Sequence, residues 1–128
     1  MTVLKFTLPR PPSTNRLYSN VLGHGRVLTK HHRKWRKLAM QQIMIQRCDK
    51  NIKKIAGPYH LAIIVERGDI DLGNCEKAVS DCLEKMHVID NDRKAESIFQ
   101  RWGDVQGCEV TVVSALPNRF ASVRYDEQ

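Results

Sequence analysis

Asp69 and Asp71 stand two residues apart in RGDIDLGN, residues 67–74, with Gly68 and Gly73 beside them. Read as the end of a strand, where alternate side chains share a face, the two carboxylates project together about 7 Å apart. Such carboxylates repel each other unless a cation lies between them, and hard oxygen donors suit Mg²⁺, with Mn²⁺ as a substitute. A third carboxylate is available from IDND, where Asp90 and Asp92 follow a helix that is expected to return the chain toward the same edge. Lys77 falls in the first turn of that helix. Three acids and a lysine around a divalent cation meet the needs of phosphodiester hydrolysis. The cation activates water and, with the ammonium, stabilises charge growing on phosphorus. A plainer account stands beside this one: D-x-D also arises as solvated loop acids or capping charge. Lys77 and Asp81 are i,i+4 neighbours whose pairing, worth a few tenths of a kcal/mol (~0.3), requires no function.

The chain around these residues is 128 long, one domain spanning 1–128 and large enough for a core without staples. Its net charge of +7 favours a polyanionic partner, nucleic acid ahead of a membrane surface. The charge is divided: residues 1–56 hold thirteen Lys or Arg and one acid, Asp49, whereas nine acids lie between Glu66 and Glu96. A positive surface for a phosphate backbone and carboxylates for a divalent metal belong to one class of protein. Cys48, Cys75, Cys82 and Cys108 form no C-x-x-C pair, so they read as buried free thiols rather than a zinc site. The five histidines show no metal spacing. No signal-peptide pattern or membrane span is visible, and the expectation is a soluble, cytoplasmic protein.

Periodicity supplies the elements. TVLKFTLP alternates and predicts a first strand, followed by a Pro- and Gly-rich loop to about residue 28. From Thr29, an N-cap candidate, a helix is expected with Trp35, Leu38 and Ile45 inward and cations crowded into its first turns, where the helix dipole disfavours them. YHLAIIVER predicts a central strand. Asn74 caps a second helix running to about Met86, with apolar residues at 75, 78, 79, 82, 83 and 86 on one stripe. ESIFQRW and CEVTVVSA then read as a hairpin around GDVQG. The order strand-helix-strand-helix-strand-strand predicts an α+β domain, a mixed β-sheet with helices packed on it.

Taken together, LPRPPSTNRLY, DIDLGNCEKAVSDCL and VIDNDR resemble the RusA family of Holliday junction resolvases. Pro11, Pro12, Ser13 and Asn15 match the family's opening segment. Asn74, Lys77, Asp81 and Leu83 match its helix motif, and Asp92 matches the following acid at the family's spacing from the lysine. The resemblance covers the chain to about residue 96. It implies a small homodimeric, Mg²⁺-dependent endonuclease that binds four-way DNA junctions and nicks symmetric strands, each cut leaving a 5′ phosphate and a 3′ hydroxyl. A phage or prophage origin fits such genes. One site per subunit supplies paired cuts by symmetry.

Two departures bear on the site. Without a gap, Gly73 stands where the family's second aspartate belongs, Asp71 takes the first place and Asp69 is surplus. With a two-residue insertion, Asp69 and Asp71 fill both places. The pair that follows the helix is DND, so Asn91 replaces an acid and Asp90 is the candidate to compensate, with Glu66 and Glu76 as further substitute ligands. The expected metal ligands are therefore Asp69, Asp71 and Asp92, with Lys77 as the electrostatic partner. Asn15, Arg16, Arg26, Lys30, Arg33 and Lys34 are expected to track the DNA backbone. Trp35 reads as core. Two alternatives stay open: a nuclease of broader taste for branched DNA, and a structure-selective DNA-binding protein without catalysis.

Overall fold

The computed structural model describes residues 2–12, 18–21, 25–28, 30–50, 54–70 and 72–115. In chain order the elements are β1 (Val3–Leu8), β2 (Tyr18–Val21), β3 (Gly25–Leu28), α1 (Lys30–Lys50), β4 (Tyr59–Glu66), α2 (Leu72–Lys85), a 3₁₀ turn (Asp92–Lys94), β5 (Ala95–Gly103) and β6 (Cys108–Ser114). A mixed sheet in the order β1-β6-β4-β5 carries both helices on one face, the α+β class expected from the periodicities. The alternation in β1 buries Leu4, Phe6 and Leu8; β4 buries Leu61, Ile63 and Val65, and β6 buries Val110 and Val112. Against that face lie Trp35, Ala39 and Ile43 of α1 and Cys75, Val79, Cys82 and Leu83 of α2. Each large aliphatic side chain withdrawn from water there contributes about 1.5–3 kcal/mol.

Topology corrects the expected β5–β6 hairpin. β6 lies between β1 and β4, antiparallel to both, whereas β5 pairs with the other side of β4 and runs parallel to it. A parallel neighbour needs a crossover, and α2 supplies it. The inner slot goes to β6 because its alternate residues are wholly buried; β5, exposed along most of its length, takes the edge. A further β-hairpin, β2–β3, occupies part of the stretch expected to be loop.

Helix boundaries and faces also shift. α2 starts at Leu72, so Asn74 lies inside its first turn rather than at the helix boundary expected of it. Thr29 lies outside the described residues. On α1 the buried positions are His32, Trp35, Ala39 and Ile43, a 3–4 spacing, while Leu38 and Ile45 are 44% and 52% exposed. Two contacts set this rotation. The Trp35 indole N–H donates to the Pro9 carbonyl at 2.8 Å. Gln46 accepts from the Thr7 N–H at 2.8 Å and donates to the Thr7 carbonyl at 2.7 Å, so it also satisfies the outward-facing backbone of β1 at that residue. Cys75, Cys82 and Cys108 are buried free thiols as expected, but Cys48 is exposed.

Candidate functional site

At the end of β4 the chain is fastened before it reaches the acids. The Glu66 N–H donates to the Gly107 carbonyl at 2.8 Å, and the Gly107 N–H returns a bond to Glu66 Oε1 at 3.0 Å. Gly107 has φ +70°, a conformation that favours glycine. Arg10 donates to the Arg67 carbonyl at 3.2 Å, and its guanidinium fills the space where a side chain on residue 68 would lie. The Arg67 guanidinium sits 5.5 Å from the centre of the Trp102 ring. Beyond this clasp Asp69 is exposed and Ile70 packs on the core. Asp71 lies outside the described residues, as do Asn15 and Arg16, and of Arg26 only the backbone in β3 is described. Since β4 ends at Glu66, Asp69 is three residues past the strand. Strand alternation therefore does not aim it, which corrects the basis on which the two aspartates were paired.

The other acids gather at the opposite end of the unit. In a parallel pair both strands start at the same end, so a chain leaving α2 must arrive where β4 begins. The register confirms it: Tyr59 pairs with Ala95 and Glu66 with Gly103. Asp69 follows the last residues of β4 and Asp92 precedes the first residues of β5. The eight-residue strand between these ends spans about 26 Å. The expectation that α2 returns the chain toward the same edge is thus corrected, and a single copy does not bring Asp69 and Asp92 together. Among the described residues no three His, Cys, Asp or Glu side chains converge as a metal-holding group.

Asp90 is a structural residue. Its carboxylate pairs with Lys54 at 2.5 Å and Lys94 at 3.2 Å and accepts from the Gly57 N–H at 3.1 Å, beside the Ile55–Ile89 bridge. The Lys54 bond above all, then those from Gly57 and Lys94, holds this carboxyl well below the usual carboxylate range. That arrangement gives the acid at 90 a structural role. Asn91, standing where an acid was expected, caps the 3₁₀ turn by accepting from the Arg93 N–H at 2.9 Å. Glu66 and Glu76, the other substitute ligands, already accept from Gly107 and from the Ser80 hydroxyl at 2.6 Å.

Asp92 is exposed, and its backbone is held at both ends. The Asp92 N–H donates to Glu84 Oε1 at 3.0 Å, and its carbonyl accepts from the Tyr59 hydroxyl at 3.5 Å. Burial pushes the Tyr59 phenol up to about 12, and the negative charges of Asp92, Glu76 and Glu84 add to it. Asp81 is likewise raised, first by burial and then by Asp92 and Glu84, while Arg36 and Lys77 oppose the rise. Arg36 reaches Asp81 at 3.7 Å. Lys77, exposed on α2, thus belongs electrically with Asp81 as well as with the first turn. Tyr59 and Glu84 are the residues that sequence reasoning missed. Tyr59 looked like an ordinary strand residue, and Glu84 could be found only by knowing that the chain turns back past the end of α2.

Lys30, Arg33 and Lys34 are exposed on α1, and Lys37 continues the row. The first turn holds no acid. This is the positive surface expected from the charge distribution. Compared with protein-family models and with curated proteins, the chain matches none of either.

Proposed function

We propose that this chain is a Mg²⁺-dependent endodeoxyribonuclease that acts as a homodimer on branched DNA, with the four-way junction as its substrate. Three features support this reading. The motifs resembling the RusA family occur in order, α1 presents a row of exposed cations with no acid in its first turn, and acids stand at both ends of the β4–α2–β5 unit. The observation that carries the reading furthest is the unfilled sheet edge at β5, which lies between the two ends where those acids stand. Gln46 occupies the outer backbone groups of β1 at Thr7, whereas among the described residues no strand pairs with the outer side of β5, where Ile98 and Phe99 are exposed. Two copies paired antiparallel along β5 would set the Ala95 end of one against the Gly103 end of the other. Asp92 of one copy would then approach the Asp69–Asp71 loop of its partner, so that each site takes acids from both chains.

In this account Lys30, Arg33 and Lys34 hold phosphates and fix the register of the duplex arms. Lys77 supplies positive charge where charge grows on phosphorus. The carboxylates of Asp69, Asp71 and Asp92 are hard oxygen donors suited to Mg²⁺, although one copy's described residues do not assemble a complete set. The cation, when bound, activates water and neutralises the scissile phosphate. The test is cleavage of a labelled synthetic four-way junction beside a matched fork and linear duplex, in Mg²⁺ and in EDTA. Paired symmetric nicks confined to the junction in Mg²⁺ support the reading; cutting of every branched substrate moves it to the broader nuclease. A second reading is favoured by the separation itself: tight junction binding in EDTA with no cutting in Mg²⁺ marks a non-catalytic structure-selective binder. No described helix is long and apolar enough to cross a membrane.

A further inference from the structure

Between α1 and the turn that ends α2 lies a groove of about 470 Å³, floored by Met40, Met44 and Met86 and bordered by Arg33, Arg36 and Lys37. Its volume falls in the range of sites that seat a single anchoring group, roughly 300–1,000 Å³. Met44 is 56% exposed, an unusual amount of apolar surface for a position so close to cations. Thioether side chains are polarisable and flexible, and they recur where one surface must take up varied apolar partners.

The chemistry of the lining narrows the occupant. It contains no acid, and Arg36 reaches Asp81 from one side only, at 3.7 Å, leaving donors of its five-donor fork for another anion. A second copy of this face would bring like charges together in the same row, a repulsive arrangement. A phosphate backbone satisfies the cations but has nothing to bury among three methionines. An acidic peptide segment with one large apolar side chain satisfies both halves. We infer that this groove is a docking site for such a segment of a partner protein, its apolar residue seated among Met40, Met44 and Met86 and its carboxylates on Arg33, Arg36 and Lys37. The inference does not need the nuclease reading, but it shares Arg33 with the row of cations which that reading gives to DNA, so the peptide and the DNA backbone would compete there.

The test is selection of random twelve-residue peptides displayed on phage against the purified full-length protein, followed by fluorescence anisotropy with the enriched sequences. Enriched peptides are expected to be net acidic with a single large apolar residue. They should lose at least tenfold in affinity on Met44→Glu, and about as much when the apolar residue is changed to serine. Met44 is an exposed helix position, so the variant is expected to keep the wild-type circular dichroism spectrum and melting temperature. If it does not, Met44→Ser with the same peptides serves in its place, with a loss again expected. Failure to enrich, enriched peptides without acidic character, or equal affinity for the variant would each overturn the proposal. Four-way-junction binding by the same variant is measured alongside. A matching tenfold loss there, with no peptide selected, would assign the groove to the DNA-binding surface instead.

Discussion

The two ends of the β4–α2–β5 unit are built differently. At the Asp92 end, Asp90 is pinned by two lysines and a backbone N–H, Asn91 caps a turn, and Glu84 and Tyr59 hold the backbone of Asp92 itself. At the Asp69 end, Arg10 and Gly107 fasten Glu66–Gly68 and Ile70 packs on the core, while Asp69 between them lies exposed with no described contact bracing it. One end presents a carboxylate from a braced turn, whereas the other presents it from a loop. The difference teaches that the described acids do not form a preassembled set in one copy. In the proposed dimer, the braced carboxylate would serve as a fixed post to which the exposed one adjusts from the other copy.

The largest expected effect follows from the braced end. Asp92→Asn should lower Mg²⁺-dependent junction cleavage by at least about a hundredfold, more than the loss of a residue that merely orients a ligand. Gel-shift affinity for the junction should stay within about twofold, since the cations on α1 are untouched. Retained cutting would remove Asp92 from the site. The same substitution at the looser end is expected to be milder: Asp69→Asn should slow cleavage about tenfold, an effect of the size seen when a supporting group is lost. Cleavage at the wild-type rate would establish the register in which Asp71 alone takes the family's place and Gly73 stands for the second aspartate.

Asp90 sharpens the contrast from within the braced end. Asp90→Asn is expected to leave cleavage chemistry in place and to lower the melting temperature. Because folding holds this carboxyl below its ordinary value, its contribution is present above the unfolded pKa, near 4, and is lost as pH falls further. The difference in melting temperature between wild type and variant should therefore shrink in scans below about pH 4. A variant as stable as wild type at pH 7 would show that the lysine pairs do not brace this turn.

The smallest effect concerns Tyr59. Its phenol, raised to about 12, should titrate about two units late by absorbance at 295 nm, and Tyr59→Phe should remove that late step. The sign follows from linkage. A raised folded value means that stability is intact below about pH 10 and declines as pH climbs toward 12. Normal titration of all three tyrosines would contradict the burial of the Tyr59 phenol and, with it, the added effect of the acids around Asp92.

Much of the fold was legible because it rests on local pattern. The alternation of Leu4, Phe6 and Leu8, the apolar run of β4 and the stripe through Cys75, Val79 and Cys82 each have one buried face, and each forms the expected element. What failed depends on which neighbour an element chooses. Nothing within ESIFQRW says that it will pair with β4 rather than with the strand that follows it. Leu38 and Ile45 carry the right residue types for a core, but the rotation of α1 is set by Trp35 reaching Pro9 and Gln46 reaching Thr7, contacts 26 and 39 residues away in sequence. The acids were legible as residues and not as a site. Spacing set Asp92 apart from Asp90, but the pairing of Asp90 with Lys54 and Lys94 could not be read from it. The separation of Asp69 from Asp92 follows from the parallel pairing of β5, which the sequence reading had taken for a hairpin strand.

The most direct test of the account is to mix two inactive variants. Asp71→Asn and Asp92→Asn, each purified alone, are co-refolded so that mixed dimers form, and Mg²⁺-dependent nicking of a labelled four-way junction is followed. If each site takes Asp71 from one chain and Asp92 from the other, the mixed dimer contains one site with both acids intact, and single-strand nicking returns. If both acids act within one chain, every site in the mixture carries a substitution. A mixture as inactive as its components, despite demonstrated mixed dimers, would contradict the account.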